Sequence, residues 1–457
     1  MYKPNFIFTR ILAALLCVFL LTSCLTTLSY RPKHVVRTIF NISPKSDAPG
    51  TQKFEDDMSR ISNSKLTENN SVKPLFNGEQ VYPKMIELIR NAKEKVYFET
   101  YIFREDQTGK LFKKELINSK KNFNTDIFVM SDDVGNDLST RKILRPLKKV
   151  GIHTRVFNPV LNWTILRFNQ RDHRKIFTID GKYAVVSGLN IGNEYNGDGI
   201  NGFRDTGLYI QGPVVDEMDR SFQRIWKQGG YGWTEKNLPI LGVNTAKRGF
   251  DKGMLSLFGL YHPKVILPAQ HEINGQARVR LVTSEPENFS SNILDMYLLA
   301  INSAKKKVYI TTSYFVPPLL LMRALKNAAK RGVDVKIILQ GKTDQNFVRQ
   351  FAINKYGELF KHGVHIYEWP NSILHSKTIL VDEIWCSIGS CNMDGRSFFL
   401  NYEANVAVTD KVFALEMEKQ FMKDLAKADM IGYKEWKKRR WYNKINGYIL
   451  KPIKGQF

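Results

Sequence analysis

A histidine followed two positions later by a lysine and seven positions later by an aspartate occurs twice in this chain. The first copy is His173, Lys175 and Asp180, and the second is His375, Lys377 and Asp382. On a β-strand, residues two apart project from the same face, so each histidine and its lysine can reach one substrate group. Two such pairs suit a phosphodiester, because lysines can hold the non-bridging oxygens while one imidazole attacks phosphorus and the other protonates the leaving oxygen. We therefore predict one shared catalytic site that uses both copies.

Two other interpretations of this pattern are less favoured. A single histidine with a nearby lysine on a strand is more often part of an exposed polar face, but two copies in matching positions of a repeated chain favour catalysis. A metal site would not place a lysine where the cation must sit, and the chain has no H-E-x-x-H pattern. We predict that the reaction needs neither a metal nor another cofactor.

The two copies lie in half-chains that share one plan. Residues 92–97 match residues 304–309, and residues 151–153 match residues 363–365, both at an offset of 212. Each half has a helical pattern, then a strand rich in aromatic and β-branched residues, then a further helix and strand. Each motif continues through a polar turn into another apolar strand, which indicates a hairpin. This alternation predicts an α/β fold of two similar sandwich halves, each with its own sheet, packed about a pseudo-twofold axis.

At these motifs the chain resembles the phospholipase D superfamily, and within it the cardiolipin synthase-like branch. The resemblance extends from about residue 75 to residue 424, and the stretches after the two motifs, residues 187–195 and 389–397, agree with it. It implies a two-step reaction through a phosphohistidine, with His173 as the nucleophile and His375 as the general acid and base.

The resemblance also implies roles for residues outside the two motif histidines. Lys175, Lys377, Asn190 and Asn392 match phosphate-holding positions, and Asp205 and Glu403 match acids that orient the histidines. Each of these acids follows its motif histidine by about 30 residues. The motif carboxylates Asp180 and Asp382 complete the candidate catalytic set, although in the family they brace the motif. Cys391 occupies a position that varies in the family.

The amino terminus resembles a bacterial lipoprotein signal. Lys3 and Arg10 precede an apolar run, residues 11–21, which ends just before Cys24. In that pattern the cysteine is lipidated, which predicts an anchored protein of the bacterial cell envelope. Leu25 follows the cysteine, and in a Gram-negative cell this favours the outer membrane. The alternative is an uncleaved anchor, but the run is shorter than the roughly 18 residues of a spanning helix.

The sequence predicts six segments and two free thiols. The segments are a lipoprotein signal at 1–24, a tether at 25–72, a first half at 73–235, a linker or insertion at 236–275, a second half at 276–430, and a basic, aromatic tail at 431–457. Cys386 and Cys391 are five positions apart in a strand and turn pattern, so we expect two buried free thiols.

The charge of the chain points to anionic partners. With 68 Lys and Arg against 44 Asp and Glu, the formal net charge is +24. The tail holds eight basic residues, one acid and six aromatic residues, which suits an anionic membrane, a nucleic-acid strand, or a helix packed onto the body. We favour a membrane-facing enzyme acting on anionic phospholipids over a nucleic-acid phosphodiesterase.

Both motifs lie in one chain, so the site can form within a monomer.

Overall fold

The first half alternates strands and helices as the sequence predicts. The computed structural model describes residues 47–136, 139–159, 169–227, 275–286, 291–343 and 346–438. The strands of the first half are β1 (Thr67–Phe76), β2 (Lys95–Thr100), β3 (Asp126–Asp132), β4 (His153–Phe157), β5 (Arg171–Asp172), β6 (Ile176–Ile179), β7 (Tyr183–Ser187) and β8 (Thr206–Gln211). A helix α1 (Gln52–Ile61) comes before them, followed in chain order by α2 (Asn77–Asn91), α3 (Gln107–Phe123), α4 (Thr140–Lys149) and α5 (Val214–Lys227).

The second half repeats this series. Its strands are β9 (Ala277–Ser284), β10 (Lys307–Thr312), β11 (Phe315–Val316), β12 (Asp334–Lys342), β13 (His365–Ile373), β14 (Lys377–Val381), β15 (Trp385–Gly389), β16 (Met393–Asp394), β17 (Asn401–Thr409) and β18 (Asp429–Ile431). Its helices are α6 (Asn292–Ser303), α7 (Leu319–Lys330), α8 (Asn346–Phe360), α9 (Gly395–Phe399), α10 (Lys411–Leu425) and α11 (Tyr433–Lys438).

The order of the strands repeats as well. In the first half the order is β4-β3-β2-β6-β7-β8-β1, and in the second it is β13-β12-β10-β14-β15-β17-β9. Strands β2, β3 and β4 are mutually parallel, as are β10, β12 and β13. The carboxyl ends of parallel strands meet at one edge of a sheet, so each half presents its loops at that edge. The predicted α/β fold with two repeated halves is confirmed.

The sheets differ from the prediction in one respect. We expected one sheet per half, with the two packed against each other, but β1 pairs antiparallel with β9, and this joins the halves into one continuous strand path. Pairing covers two strands that would otherwise be exposed edges. The halves also share a core, in which Ile176 and Val186 of the first half cluster with Leu380, Cys386 and Ile388 of the second.

The predicted tether of residues 25–72 is wrong for its carboxyl-terminal part. Thr51 caps helix α1, whose Phe54 and Met58 are buried in the core of the second half. Glu55 on the same helix is fully buried and forms an ion pair with Arg280. The polar composition concealed this helix, because few apolar residues anchor it, namely Phe54, Met58 and the partly buried Ile61, and its buried carboxylate is neutralised by a partner. The other tether residues, 25–46, lie outside the described residues.

Further predictions concern the two free thiols, the carboxyl-terminal tail and the segments outside the described residues. Cys386 and Cys391 are buried and free, as predicted. The Trp436 indole on α11 donates a hydrogen bond to the Ile353 carbonyl at 2.6 Å, which favours a packed role for the start of the tail. The signal with Cys24, residues 236–274 of the linker, and the tail beyond residue 438 lie outside the described residues. Among the helices that the structure describes, none combines the length and apolar character needed to span a membrane.

Candidate active site

The backbone amide of each motif histidine forms a hydrogen bond with the opposite half. Strand β5 pairs in parallel with β17, and the His173 amide then donates to the Tyr402 carbonyl at 3.0 Å. The His375 amide donates to the Arg204 carbonyl at 2.7 Å in the corresponding contact of the other motif. These exchanges bring both imidazoles into one cleft of about 480 Å³ between the halves.

Each motif histidine contacts a carboxylate that belongs to the other half. His173 Nδ1 lies 3.0 Å from both carboxylate oxygens of Glu403, and His375 Nδ1 lies 2.7 Å from Asp205 Oδ2. Both acids are fully buried. A carboxylate at Nδ1 sets the tautomer and turns Nε2 outward, as in other catalytic histidines. The sequence predicted these two acids as orienting groups, and the structure pairs each with the histidine of the opposite motif.

A glycine makes room for one of these acids. A Cβ atom on Gly188 would lie 2.3 Å from Asp205 Oδ1, far inside any allowed contact. A side chain at this position would therefore push Asp205 away from His375. The requirement places a glycine two residues before Asn190, within the stretch that follows the first motif.

The motif lysines lie beside their histidines. Lys175 Nζ donates to the His173 carbonyl at 2.6 Å, while Lys377 Nζ donates to the His375 carbonyl and to Ser313 Oγ, the latter at 2.9 Å. Burial lowers the pKa of Lys175 to about 7, and the nearby Lys377 contributes to the decrease while Glu403 opposes it. A bound phosphate would favour the charged form of both lysines, since opposite charges stabilise each other most where water is excluded.

Asn190 and Asn392 occupy matching positions in the wall of the cleft. The Asn190 amide donates to the Tyr195 hydroxyl at 2.8 Å, and its oxygen accepts a hydrogen bond from the Ile102 amide at 3.1 Å. Asn392 Oδ1 is buried without a hydrogen-bond partner among the described residues. A phosphate oxygen accepts hydrogen bonds only, so either side chain could hold one only through the N–H groups of its amide.

Asp180 and Asp382 lie away from the cleft, at the far ends of their hairpins. The Asp180 carboxylate accepts hydrogen bonds from the amides of residues 93–95 at 2.8–2.9 Å. Asp382 accepts the corresponding bonds from residues 305–307. Both aspartates have a φ of +53°, a left-handed conformation that Asp tolerates better than most residues. Their inclusion in the catalytic set is corrected: they join the motif hairpin to the start of β2 or β10.

Replacing Asp180 with alanine is expected to lower the free energy of unfolding by about 2 kcal/mol, because three amides lose an acceptor and alanine is strained at positive φ. Urea denaturation measures the change, and turnover below the transition should stay within a few fold of the unmodified protein. Lys182→Ala, on an exposed residue of the same turn, is the matched control. A loss of turnover at unchanged stability would show that Asp180 takes part in catalysis.

The environments of the two histidines differ electrostatically. Burial lowers the pKa of His173, an effect that Lys175 reinforces and Glu403 opposes. Burial favours the neutral acid at Glu403, but His173 and the surrounding donors outweigh it and hold its pKa below the usual value. Burial raises the pKa of Asp205 to about 7, against the attraction of Lys377. The two pairs thus differ: the pKa values of His173 and of Glu403 are both lowered, whereas the pKa of Asp205 beside His375 is raised.

Sequence reasoning did not single out several other residues of the cleft. Aromatic residues Tyr101, Tyr195 and Phe203 line it, together with Arg396 and Asn401. Tyr195 and Arg396 belong to the stretches that follow the motifs, so their proximity to the site was the available signal. Within the part of the chain that the structure describes, no three His, Cys, Asp or Glu side chains are grouped closely enough to hold a metal ion.

Comparison with known proteins finds relatives over most of the chain. The family described as "Cardiolipin synthase, PLD-like domain" matches residues 85–226 and 297–425. A cardiolipin synthase of Clostridium perfringens is 33% identical over 394 residues, which cover 86% of this chain and 78% of that protein. The major cardiolipin synthase of Bacillus subtilis is 31% identical over 394 residues, covering 85% and 76%.

One solved structure is similar over nearly its whole length. The phosphatidylserine synthase of Haemophilus influenzae superposes with a TM-score of 0.63, covering 87% of this chain and 96% of that one. Its sequence is 16% identical, so the similarity is one of fold.

Proposed function

Because the chain belongs to the cardiolipin synthase family of phospholipase D-like enzymes and is a phosphatidyltransferase of that family, we propose that it joins two phosphatidylglycerol molecules into cardiolipin and releases glycerol. The observation that carries the proposal is the crosswise pairing of His173 with Glu403 and of His375 with Asp205 in one cleft. This arrangement supplies a nucleophile and an acid on opposite sides of a phosphodiester.

In the first step, His173 Nε2 attacks phosphorus while the bond from phosphorus to the glycerol oxygen breaks. His375 gives its Nε2 proton to that oxygen, so the glycerol leaves as a neutral alcohol. Lys175 and Lys377, with Asn190 and Asn392, hold the non-bridging oxygens as charge builds on them. The product of this step is a phosphatidyl group on His173.

In the second step, a hydroxyl of another phosphatidylglycerol attacks the same phosphorus. His375 Nε2 accepts the hydroxyl proton, and the bond from phosphorus to His173 breaks. The result is cardiolipin and free enzyme. Water in place of the alcohol would give phosphatidic acid.

The two carboxylate pairs support the assignment of His173 as nucleophile. A nucleophilic imidazole must be unprotonated at Nε2, and the pKa of His173 is lowered. A general acid must hold a proton at neutral pH, and the pKa of Asp205, which shares its proton with His375, is raised to about 7. Groups whose environments separate their pKa values in this way divide into base and acid.

Cardiolipin formation is expected to be fastest between the lowered pKa of His173 and about pH 7. It should fall as the pH rises through about 7, because Asp205, with a pKa of about 7, and His375 then lose their shared proton. On the acid side it should fall as His173 becomes protonated. Because the pKa of His173 is lowered, this fall should occur below the roughly 6.5 of an ordinary histidine. Initial rates from pH 4 to 9 measure both limbs.

The variants Asp205→Asn and Glu403→Gln are matched controls for this profile. We expect Asp205→Asn to shift the alkaline limb and Glu403→Gln to shift the acid limb, with lower maximal rates in both. A rate that rises steadily to pH 9 would contradict the assignment of His375 and Asp205 as the acid.

We also propose that the enzyme works at the surface of an anionic membrane, anchored by a lipid on Cys24. The basis is the signal-like pattern around Cys24 and the net charge of +24. In a Gram-negative cell, Leu25 after the cysteine favours the outer membrane. Metabolic labelling with a fatty acid, compared between the unmodified chain and Cys24→Ser, tests the anchor.

The proposed reaction is tested by incubating the purified protein with phosphatidylglycerol vesicles without added metal and measuring lipids and glycerol by mass. Cardiolipin and glycerol in equal amounts are expected. Phosphatidic acid alone would make the protein a hydrolase of that lipid. No change in lipid would overturn the proposal and favour a nucleic-acid phosphodiester or another lipid.

A further inference from the structure

The two ends of the cleft differ although the halves are duplicates. Aligning Asn190 with Asn392 places Tyr195 opposite Ser397, and aligning Asp205 with Glu403 places Phe203 opposite Asn401. The first half therefore carries aromatic rings at these two positions, where the second half has small polar side chains. All four of the differing residues line the cleft.

The aromatic pair flanks one histidine only. The Tyr195 ring lies 5.3 Å from the His375 ring, edge to face, and the Phe203 ring lies 6.0 Å from it. Asn401 lies instead at the other end, where its amide donates to Glu403 Oε1 at 3.3 Å and so supports His173. Each histidine thus has one tyrosine ring edge-on to it, since Tyr101 lies 5.2 Å from the His173 ring. The second ring, Phe203, is present beside His375, whereas its counterpart Asn401 is a polar residue on the His173 side.

The aromatic wall is held in place by its own contacts. Tyr195 is buried, and its hydroxyl accepts a hydrogen bond from the Asn190 amide at 2.8 Å. Phe203 packs edge-on against Tyr195 with ring centroids 4.8 Å apart, and its amide donates to the Glu194 carbonyl at 2.9 Å. Phe203 remains partly exposed to the cleft. A reactant that approaches His375 therefore meets a fixed apolar surface.

The reaction directs an alcohol to this end of the cleft. On the proposed function, His375 protonates the leaving glycerol and later deprotonates the acceptor, so both alcohols pass on its side of phosphorus. Water competes with the acceptor for the same place. An aromatic wall offers water few hydrogen-bond partners, while the carbon atoms of an alcohol gain by packing against the rings.

We propose that Tyr195 and Phe203 form an alcohol-binding subsite beside His375 that favours transfer to an alcohol over hydrolysis. Its ligand is the glycerol head group of the acceptor lipid, and Phe203 is the specificity-determining residue. The proposal rests on the proposed function, since it needs a phosphatidyl group on His173 for which water and alcohol compete.

The test measures the ratio of phosphatidic acid to cardiolipin formed from phosphatidylglycerol vesicles. Phe203→Ala and Phe203→Asn, the latter reproducing the residue of the matching position, are expected to raise this ratio about tenfold, since a lost ring contact of about 1.4 kcal/mol corresponds to that factor. Phe203→Leu retains an apolar wall and should change the ratio no more than about twofold.

Asn401→Ala is the matched control. Because Asn401 acts through Glu403 on His173, which serves both products, we expect the two products to fall together at a constant ratio. An unchanged ratio in Phe203→Asn, or in Phe203→Ala, would overturn the inference, as would an equal rise in Phe203→Leu. If the alanine variant does not fold, the asparagine and leucine variants decide. Wild-type protein that forms neither lipid product would instead refute the proposed function.

Discussion

Replacing His173 with alanine is expected to lower the turnover of phosphatidylglycerol by about 10⁵-fold, because the variant has no atom that can form the bond to phosphorus. Glycerol release and cardiolipin formation, followed by mass over hours, measure the loss. The variant should keep its fold, since the His173 side chain lines an open cleft and its hydrogen bond to Glu403 is the main contact that disappears.

His365→Ala is the control for this experiment. His365 is an exposed histidine at the start of β13, outside the cleft, so its removal should leave turnover unchanged. A His173→Ala variant with a tenth or more of the original turnover would show that another group attacks phosphorus.

Replacing His375 with alanine is expected to lower turnover of phosphatidylglycerol by roughly 10³-fold, because the glycerol oxygen then leaves without a proton. The roles of the two histidines can be distinguished with a donor whose leaving group needs no proton, such as a nitrophenyl phosphodiester. With that donor, His375→Ala should still release one equivalent of nitrophenol per protein in a burst, since the attack by His173 is intact.

The control for the burst is His173→Ala, which should give none. Equal bursts from both variants, or a burst from His173→Ala alone, would contradict the assignment of His173 as nucleophile. A burst from His375→Ala followed by slow turnover would also place the base for the second step at His375.

Much of the fold was predictable because the chain is duplicated. Two copies of the histidine and lysine pattern, at matching positions, predicted the hairpins β6-β7 and β14-β15 and the two histidines that line the cleft. The alternation of helix and strand patterns predicted the α/β class. These signals are local, and each was present twice, so one half supported the interpretation of the other.

The contacts between the halves were not predictable in the same way. Glu403 is 230 positions from His173, and Asp205 is 170 from His375, and no local pattern states which acid meets which imidazole. The pairing of β1 with β9 joins two edge strands, a choice that depends on the assembled sheets. Helix α1 escaped notice because its buried Glu55 looks like a surface residue until Arg280 is seen beside it.

The most direct test of the account is to locate the covalent intermediate. Unmodified protein is mixed with short-chain phosphatidylglycerol, quenched within milliseconds at alkaline pH, digested, and its peptides are weighed for an added phosphatidyl group. We expect the added mass on the peptide that contains His173 and none on the peptide that contains His375. The group on His375, or no covalent group on either peptide while cardiolipin forms, would contradict the mechanism.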